Sequence, residues 1–186
     1  MKIHLLLTYP LSLLYGFATW CRNKLFDLGI LRETGFKLPI IGIGNLSLGG
    51  TGKTPHIEYF VSQYQNTYKI AVLSRGYGRK TKGYLEVKPS NTASETGDEP
   101  LQIKLKYPDI KVFVCENRVH GVNKIQSEHP EVNLILLDDS YQHRYIKPKL
   151  NILLTTYHRP FWKDMVVPAG RLREFGSGPS IILIML

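Results

Sequence analysis

The sequence predicts an α/β fold in which a mostly parallel sheet is covered by helices on both faces. Apolar runs of strand length at residues 40–43, 69–74, 110–115 and 132–139 alternate with stretches in which apolar residues recur at helical spacing. The first run breaks into a glycine-rich loop that ends Gly52-Lys53-Thr54 and passes directly into a helical pattern. Strands that alternate with helices imply parallel pairing. The loop indicates the P-loop NTPase-like version of this architecture.

Composition and charge narrow the classes of function. The chain has 186 residues, 43% hydrophobic and 21% charged, which is enough for one good core and at most a small second domain. Its net charge of +9 would suit nucleic acid, an anionic membrane or an anionic substrate. The basic residues concentrate in residues 1–37 and 69–89, beside an apolar N-terminus and in a loop. We find no zinc pattern, RNA-binding signature or helix-turn-helix, so membrane plus anionic ligand is favoured over nucleic acid.

The N-terminal residues 1–32 are predicted to form an amphipathic, membrane-associated helix, and residues 33–186 the core domain. Residues 3–20 are strongly apolar, but His4, Thr8, Pro10 and Ser12 interrupt them, which argues against a spanning helix. Leucines, two tyrosines and a tryptophan followed by Arg22 and Lys24 suit a helix that lies in the membrane interface. A helix packed on the sheet is the alternative. The two cysteines, Cys21 and Cys115, have unrelated surroundings, which indicates a reducing compartment.

The glycine-rich loop has the residue types of a phosphate cradle. Glycines let successive backbone N–H groups turn toward an anion, and the following helix adds the positive end of its dipole. Lys53 would neutralise the β and γ phosphates, and the Thr54 hydroxyl would be a ligand of Mg²⁺. The predicted nucleotide-binding residues are Ser47, Leu48, Gly49, Gly50, Thr51, Gly52, Lys53 and Thr54.

The spacing of this loop differs from the usual Gly-x-x-x-x-Gly-Lys-Ser/Thr pattern. Ser47 stands where the first glycine is expected, and Gly44 lies three residues earlier, so we expect a longer loop. A dinucleotide-binding loop is disfavoured because Ser47 also replaces the third glycine of that pattern.

Two further segments lie at predicted strand ends, where ligands of parallel sheets bind. The second strand runs into the basic loop Arg75-Gly76-Tyr77-Gly78-Arg79, which could hold an anion or be a solvated turn. The fourth strand ends in Asp138-Asp139, which would hold Mg²⁺ beside the phosphate loop. Asp98 and Glu99 precede Pro100 at the start of a helical pattern, where ordinary capping predicts Asp98 as the N-cap.

Together these motifs resemble the tetraacyldisaccharide 4′-kinase family of the lipid A pathway. The resemblance rests on residues 44–55, 74–79, 97–100, 138–143 and 168–174, five motifs in the family order. It implies that ATP phosphorylates the 4′-hydroxyl of a membrane-borne acylated glucosamine disaccharide 1-phosphate at the cytoplasmic face of the bacterial inner membrane. ATP and Mg²⁺ are the implied cofactors, and the lipid and an anionic membrane surface are the implied partners.

The resemblance also implies roles for individual residues. Asp98 is expected to be the general base, with Lys53 and Asp139 as further catalytic residues. Metal ligation is expected from Thr54, Asp138 and Glu99. The expected substrate-binding residues are Asn45, Arg75, Gly76, Tyr77, Arg79, Gln142, His143, Arg171 and Glu174.

Alternatives remain beside this interpretation. The resemblance implies a further strand, a base-recognition segment and a second lobe with a histidine partner after residue 174, so we expect a truncated chain with impaired activity. A nucleotide-binding fragment without catalysis and another P-loop small-molecule kinase are the competing hypotheses. A GTPase is disfavoured, because Asn123-Lys124-Ile125-Gln126 lacks the aspartate that reads guanine.

Overall fold

The computed structural model describes residues 2–175 and 181–185. Its helices are α1 (Lys2–Asp27), α2 (Lys53–Tyr64), α3 (Ala93–Thr96), α4 (Asp98–Lys106) and α5 (Arg118–Glu128), with a 3₁₀ turn at Phe161–Lys163. Its strands are β1 (Thr34–Gly35), β2 (Ile40–Asn45), β3 (Ile70–Ser74), β4 (Leu85–Glu86), β5 (Lys111–Val114), β6 (Leu134–Asp138), β7 (Ile146–Lys147), β8 (Leu150–Thr155) and β9 (Ile181–Met185).

Within the described residues, seven strands form one sheet in the order β4-β5-β3-β6-β2-β8-β9. Every neighbouring pair is parallel except β4 with β5. The mostly parallel sheet predicted from the sequence is therefore confirmed. Because β2, β6 and β3 are adjacent and parallel, the loops after Asn45, Asp138 and Ser74 leave the same edge of the sheet.

The hydrophobic core occupies both faces of this sheet, as the alternation of strand side chains requires. On β3, Ile70 and Val72 pack in a cluster with Ile57 of α2 and Ile103 of α4. Ala71 and Leu73 pack on the opposite face with Val122 and Ile125 of α5. The prediction of helices on both faces is thus also confirmed.

Helix α4 begins one residue earlier than the capping argument predicted. Asp98 is its first residue and Gly97 is the N-cap, with φ 91° and ψ 154°. Gly97 also ends α3, and the sharp turn between the two helices needs a positive φ that glycine adopts without strain. The assignment of Asp98 as N-cap was therefore wrong.

Helix α1 packs one side on the rest of the chain and exposes the other. Ser12, Asn23 and Phe26 are buried, whereas Leu14 and Phe17 are 68% and 63% exposed. Within residues 2–175 and 181–185, no helix combines the length and apolar content needed to cross a bilayer. Contact of α1 with a membrane surface, and the division of the chain at residue 32, stay predictions.

The packing of β2 against the segment after β6 predicts a stability effect at Gly44. A Cβ atom at Gly44 would lie 2.8 Å from the backbone nitrogen and 2.8 Å from Cβ of Tyr141. We expect Gly44→Ala to lower the free energy of unfolding by about 1–3 kcal/mol in urea titrations. Gly35→Ala is the control, because no described atom lies within 4 Å of its Cβ position. Equal effects of the two substitutions would contradict this packing.

Candidate active site

The phosphate loop borders a cleft of about 720 Å³ at the edge of the sheet. Gly52 adopts a left-handed conformation, with φ 70°, and is the N-cap of α2. No described atom lies within 4 Å of a Cβ built at Gly49 or Gly50, so the loop backbone is open to the cleft there. The cleft is lined by Leu48, Gly49, Gly50, Thr51, Gly52, Lys53, Thr54, Pro55, Ser74, Arg75, Tyr77, Glu99, Asp138, Asp139 and Arg173.

The first part of the loop pairs with a later segment of the chain. Leu48 N donates to Arg171 O at 2.7 Å, and Arg173 N donates to Leu46 O at 2.8 Å. Ser47 forms an antiparallel bridge with Leu172. Residues 46–48 therefore extend β2 as an arm before the glycines begin, which accounts for the longer loop. Ser47 belongs to this arm and does not line the cleft, unlike the other predicted nucleotide-binding residues.

Lys53 lies at the base of the cleft between two oxygen groups. Its Nζ is 3.3 Å from Asp139 Oδ1 and 3.3 Å from Asn45 Oδ1. Asn45 is fully buried and its Nδ2 donates to Ser47 O at 2.8 Å. Asn45 therefore holds both the loop arm and the lysine, and it does not line the cleft.

Asp139 stays ionised because two cations face it. Arg173 Nη1 lies 3.0 Å from its Oδ2, in addition to the Lys53 contact. Burial tends to raise the pKa of Asp139, but the charges of Lys53 and Arg173 outweigh it and hold the pKa below 3.8. The carboxylate thus joins the phosphate loop to residues 171–173.

Asp138 has a contrasting environment. It is 2% exposed, and its Oδ2 accepts a hydrogen bond of 2.9 Å from Ser74 Oγ. Burial and the nearby negative charge of Glu99 raise its pKa to about 6. Its Oδ1 is buried without a hydrogen-bond partner among the described residues. A cation in the cleft would stabilise the ionised form of this carboxyl.

The donors around Asp138 fit a hard cation that takes further ligands from elsewhere. Thr54, Glu99 and Asp138 all line the cleft and offer oxygen atoms. In the described part of the chain, no group of three or more His, Cys, Asp or Glu side chains is placed to hold a metal ion. Mg²⁺ usually binds through one or two carboxylates plus substrate phosphates and water, so these donors suit Mg²⁺.

Glu99 and Asp98 lie on different sides of α4. Glu99 lines the cleft, whereas Asp98 is exposed and borders a shallow depression with Leu101 and Leu105. The role of Asp98 as general base therefore stays a prediction.

The basic loop after β3 contributes only part of what was predicted. Arg75 and Tyr77 line the cleft and are exposed. The Arg79 side chain is only 2% exposed, and its Nη2 lies 2.6 Å from Glu116 and 2.7 Å from Gly83 O. Arg79 packs against Gly76 and stabilises its own loop, and its role in substrate binding stays a prediction.

The arrangement is consistent with a known family. The model of the tetraacyldisaccharide-1-P 4′-kinase (LpxK) family matches residues 3–180. The chain belongs to this family.

Individual relatives agree with this assignment. The tetraacyldisaccharide 4′-kinase of Phocaeicola vulgatus is 50% identical over 174 residues, which are 92% of this chain and 48% of the relative. That of Bacteroides thetaiotaomicron is 50% identical over 187 residues, 100% of this chain and 49% of the relative. The chain thus spans about half the length of these curated relatives.

A solved structure has the same fold. The LpxK of Aquifex aeolicus, described as an "apo" form in complex with ATP, superposes with a TM-score of 0.83 at 32% identity. The match covers 94% of this chain and 62% of that chain.

In this member of the LpxK family, the side chains of Gln142 and His143 point to different parts of the structure. Gln142 Nε2 donates to Asn45 O at 3.0 Å, and its Oε1 accepts from Arg173 Nη1 at 3.3 Å. His143 borders a separate groove with Arg118 and Tyr145. Gln142 therefore positions the floor of the site, and His143 does not line the cleft.

The segment that carries Arg171 and Glu174 also differs from the prediction. The Arg171 side chain is exposed and does not line the cleft, and only its backbone contacts the phosphate loop. Glu174 is 2% exposed, and its Oε2 accepts a hydrogen bond of 2.7 Å from Asn23 of α1. Glu174 is thus withdrawn from the cleft, because it holds the N-terminal helix.

Arg173 and Arg118 are site residues that sequence reasoning missed. Arg173 lies in the family motif at residues 168–174. The two consecutive acids Asp138 and Asp139 were a signal that a cation should face them. Arg118 is 3% exposed, with Nη1 donating to Cys115 O and Nη2 donating to Asp138 O. A buried arginine at a helix start has no local sequence signal.

The position of His143 predicts a pH-dependent loss of stability. Burial and the positive charges of Arg118 and Arg75 lower its pKa from 6.5 to about 4. Between these values the unfolded chain binds a proton that the folded chain does not, so stability falls as the pH drops from about 6.5 to 4. We expect His143→Gln to weaken this dependence in unfolding free energies measured from pH 7.5 to 4.5. Identical pH profiles of the two proteins would contradict the assigned environment.

Proposed function

We propose that the protein transfers the γ-phosphate of ATP to the 4′-hydroxyl of a tetraacylated glucosamine disaccharide 1-phosphate. The observation that carries this proposal is the convergence of the phosphate loop, Lys53, Asp138 and Asp139 on one cleft in a member of the LpxK family. The ATP complex of the Aquifex aeolicus relative supports the nucleotide assignment.

In this proposal the triphosphate lies along the open glycines of the loop, at the N-terminus of α2. The backbone N–H groups and the helix dipole stabilise its negative charge. Lys53, held between Asn45 and Asp139, adds a fixed positive charge at the β and γ phosphates. Thr54, Asp138 and Glu99 would hold Mg²⁺, which would supply positive charge beside the phosphate oxygens.

The acceptor lies on the side of the cleft that Arg75 and Tyr77 border. Both side chains are exposed at the end of β3, where a guanidinium and an aromatic ring can contact a sugar that carries a phosphate. Asp98 takes the proton of the attacking 4′-hydroxyl, as family membership suggests, once the acceptor bridges from the cleft to the start of α4.

We further propose that α1 lies on the anionic cytoplasmic face of the bacterial inner membrane, where the lipid substrate resides. Its exposed side includes Leu11, Leu13, Leu14, Phe17 and Trp20, with exposures between 46% and 68%. Lys24 is exposed at the C-terminal end of the same helix, where it can contact lipid headgroups.

Two substitutions separate nucleotide binding from transfer. Lys53→Ala removes a charge-assisted contact, so we expect ATP affinity to fall roughly 10- to 100-fold, together with turnover. Asp98→Ala should lower turnover roughly 10²- to 10⁴-fold and leave ATP affinity within about twofold, because its role is proton transfer. Calorimetric titration with Mg·ATP and radiolabelled transfer to the disaccharide substrate measure the two quantities.

The outcomes of these measurements discriminate among the hypotheses. Equal loss of binding and turnover in Asp98→Ala would identify Asp98 as a structural residue of α4. Binding of ATP by the wild-type chain without any transfer would replace the proposed reaction with nucleotide binding alone.

Membrane association is tested with vesicles that contain phosphatidylglycerol. We expect Leu14→Glu/Phe17→Glu to reduce partitioning at least about tenfold, since each side chain loses about 1.5–3 kcal/mol of apolar burial. Leu105→Glu is the control, because Leu105 is also exposed, at 57%, but belongs to α4. Unchanged partitioning of the double variant, or an equal loss in the control, would contradict the membrane role of α1.

A further inference from the structure

Several polar contacts of α1 fall on the segments that form the candidate active site. Asn23 is 5% exposed and donates to the buried Glu174 at 2.7 Å. Ser12, 4% exposed, accepts a hydrogen bond of 2.7 Å from Ala169 N. Arg22 Nη2 donates to the backbone oxygen of Gln142. Helix α1 also buries the apolar side chain of Phe26, but a helix that only covered the core would not need these directional polar contacts.

The Asn23–Glu174 pair adjoins Arg173, which contacts Asp139. Glu174 follows Arg173, whose Nη1 contacts both oxygens of Asp139 at 3.2 and 3.0 Å. Arg173 N is fixed to Leu46 O at the start of the loop arm. A shift of Glu174 therefore moves the arginine relative to Asp139 and, through Asp139, affects Lys53.

A second route from α1 reaches the same lysine. Arg22 contacts the backbone of Gln142, whose side chain donates to Asn45 O at 3.0 Å. Asn45 Oδ1 in turn lies 3.3 Å from Lys53 Nζ. The contact between Arg173 of the first route and Gln142 of the second links the two routes. The two routes connect the contact surface of α1 to the floor of the nucleotide site.

We propose that Asn23 and Glu174 are positioning residues, whose buried hydrogen bond keeps Arg173 in contact with Asp139. The pair thereby couples the position of α1 on the core to the phosphate loop. This inference rests on the proposed nucleotide-binding function. It gives the N-terminal helix an effect on the site besides contact with a membrane.

The pair offers an isosteric swap as a test. Asn23→Asp places a carboxylate against Glu174 and breaks the pair by repulsion. Asn23→Asp/Glu174→Gln restores one donor and one acceptor with the direction of the bond reversed, and it keeps the net charge and the shape of both side chains. Lys24→Ala is the control on the same helix, because Lys24 pairs only with Asp27, at 3.6 Å, among the ion pairs of the described residues.

The first measurement uses the chain without nucleotide. Hydrogen exchange of peptides that cover residues 46–53 and 165–175 should accelerate in Asn23→Asp and return to the wild-type rate in the swap variant. A peptide that covers β3 serves as the internal reference. Wild-type exchange in Asn23→Asp, or accelerated exchange in the swap variant equal to that of Asn23→Asp, would overturn the proposal.

The second measurement is a double-mutant cycle on Mg·ATP affinity. We expect Asn23→Asp to weaken binding roughly 3- to 30-fold, and to have little further effect in an Arg173→Ala background. Additive losses would overturn the proposal, because the pair would then act independently of Arg173. Absence of any Mg·ATP binding by the wild-type chain would instead contradict the proposed function, and the exchange measurement would still decide the coupling.

Discussion

The described site depends on the carboxylate of Asp139, which two cations from distant parts of the chain share. Lys53 comes from the loop after β2, and Arg173 comes from a segment more than a hundred residues later. Asp139 has φ 48°, an unfavourable value for a residue with a side chain, and the tight turn after β6 imposes it. The ion pairs offset this local strain by fixing three segments around one partly buried charge.

The adjacent acids Asp138 and Asp139 have contrasting electrostatic environments. Asp139 faces two cations, whereas Asp138 lies in the sheet with one oxygen bonded to Ser74 and the other unpaired among the described residues. Neighbouring residues at a strand end point to different surroundings, so Asp139 joins three segments of the protein and Asp138 keeps one oxygen unpaired. The proposed Mg²⁺ would supply the opposite charge that the ionised form of Asp138 lacks.

Local patterns in the sequence predicted the sheet, the covering helices, the phosphate loop and the acids at the end of β6. These features depend on periodicity and on the chain before and after a motif, which a sequence displays directly. The partners of Arg79, Glu174 and Arg173 could not be predicted in this way, because they depend on side chains 34 to 151 positions away. A charged residue in a motif shows that a charge is needed, and only the fold shows whether a ligand or the protein itself neutralises it.

Among the described side chains of α1, the buried side combines the polar groups of Ser12 and Asn23 with the ring of Phe26, whereas many apolar groups face outward. The hydrogen bonds fix the position of α1 along the core. A hydrogen bond weakens when its partners slide by a few tenths of an ångström, whereas an apolar contact tolerates sliding. Lifting the helix would expose the amide of Asn23 and the carboxylate of Glu174, which water solvates well, together with the ring of Phe26. Detachment of α1 would therefore break directional hydrogen bonds as well as an apolar contact.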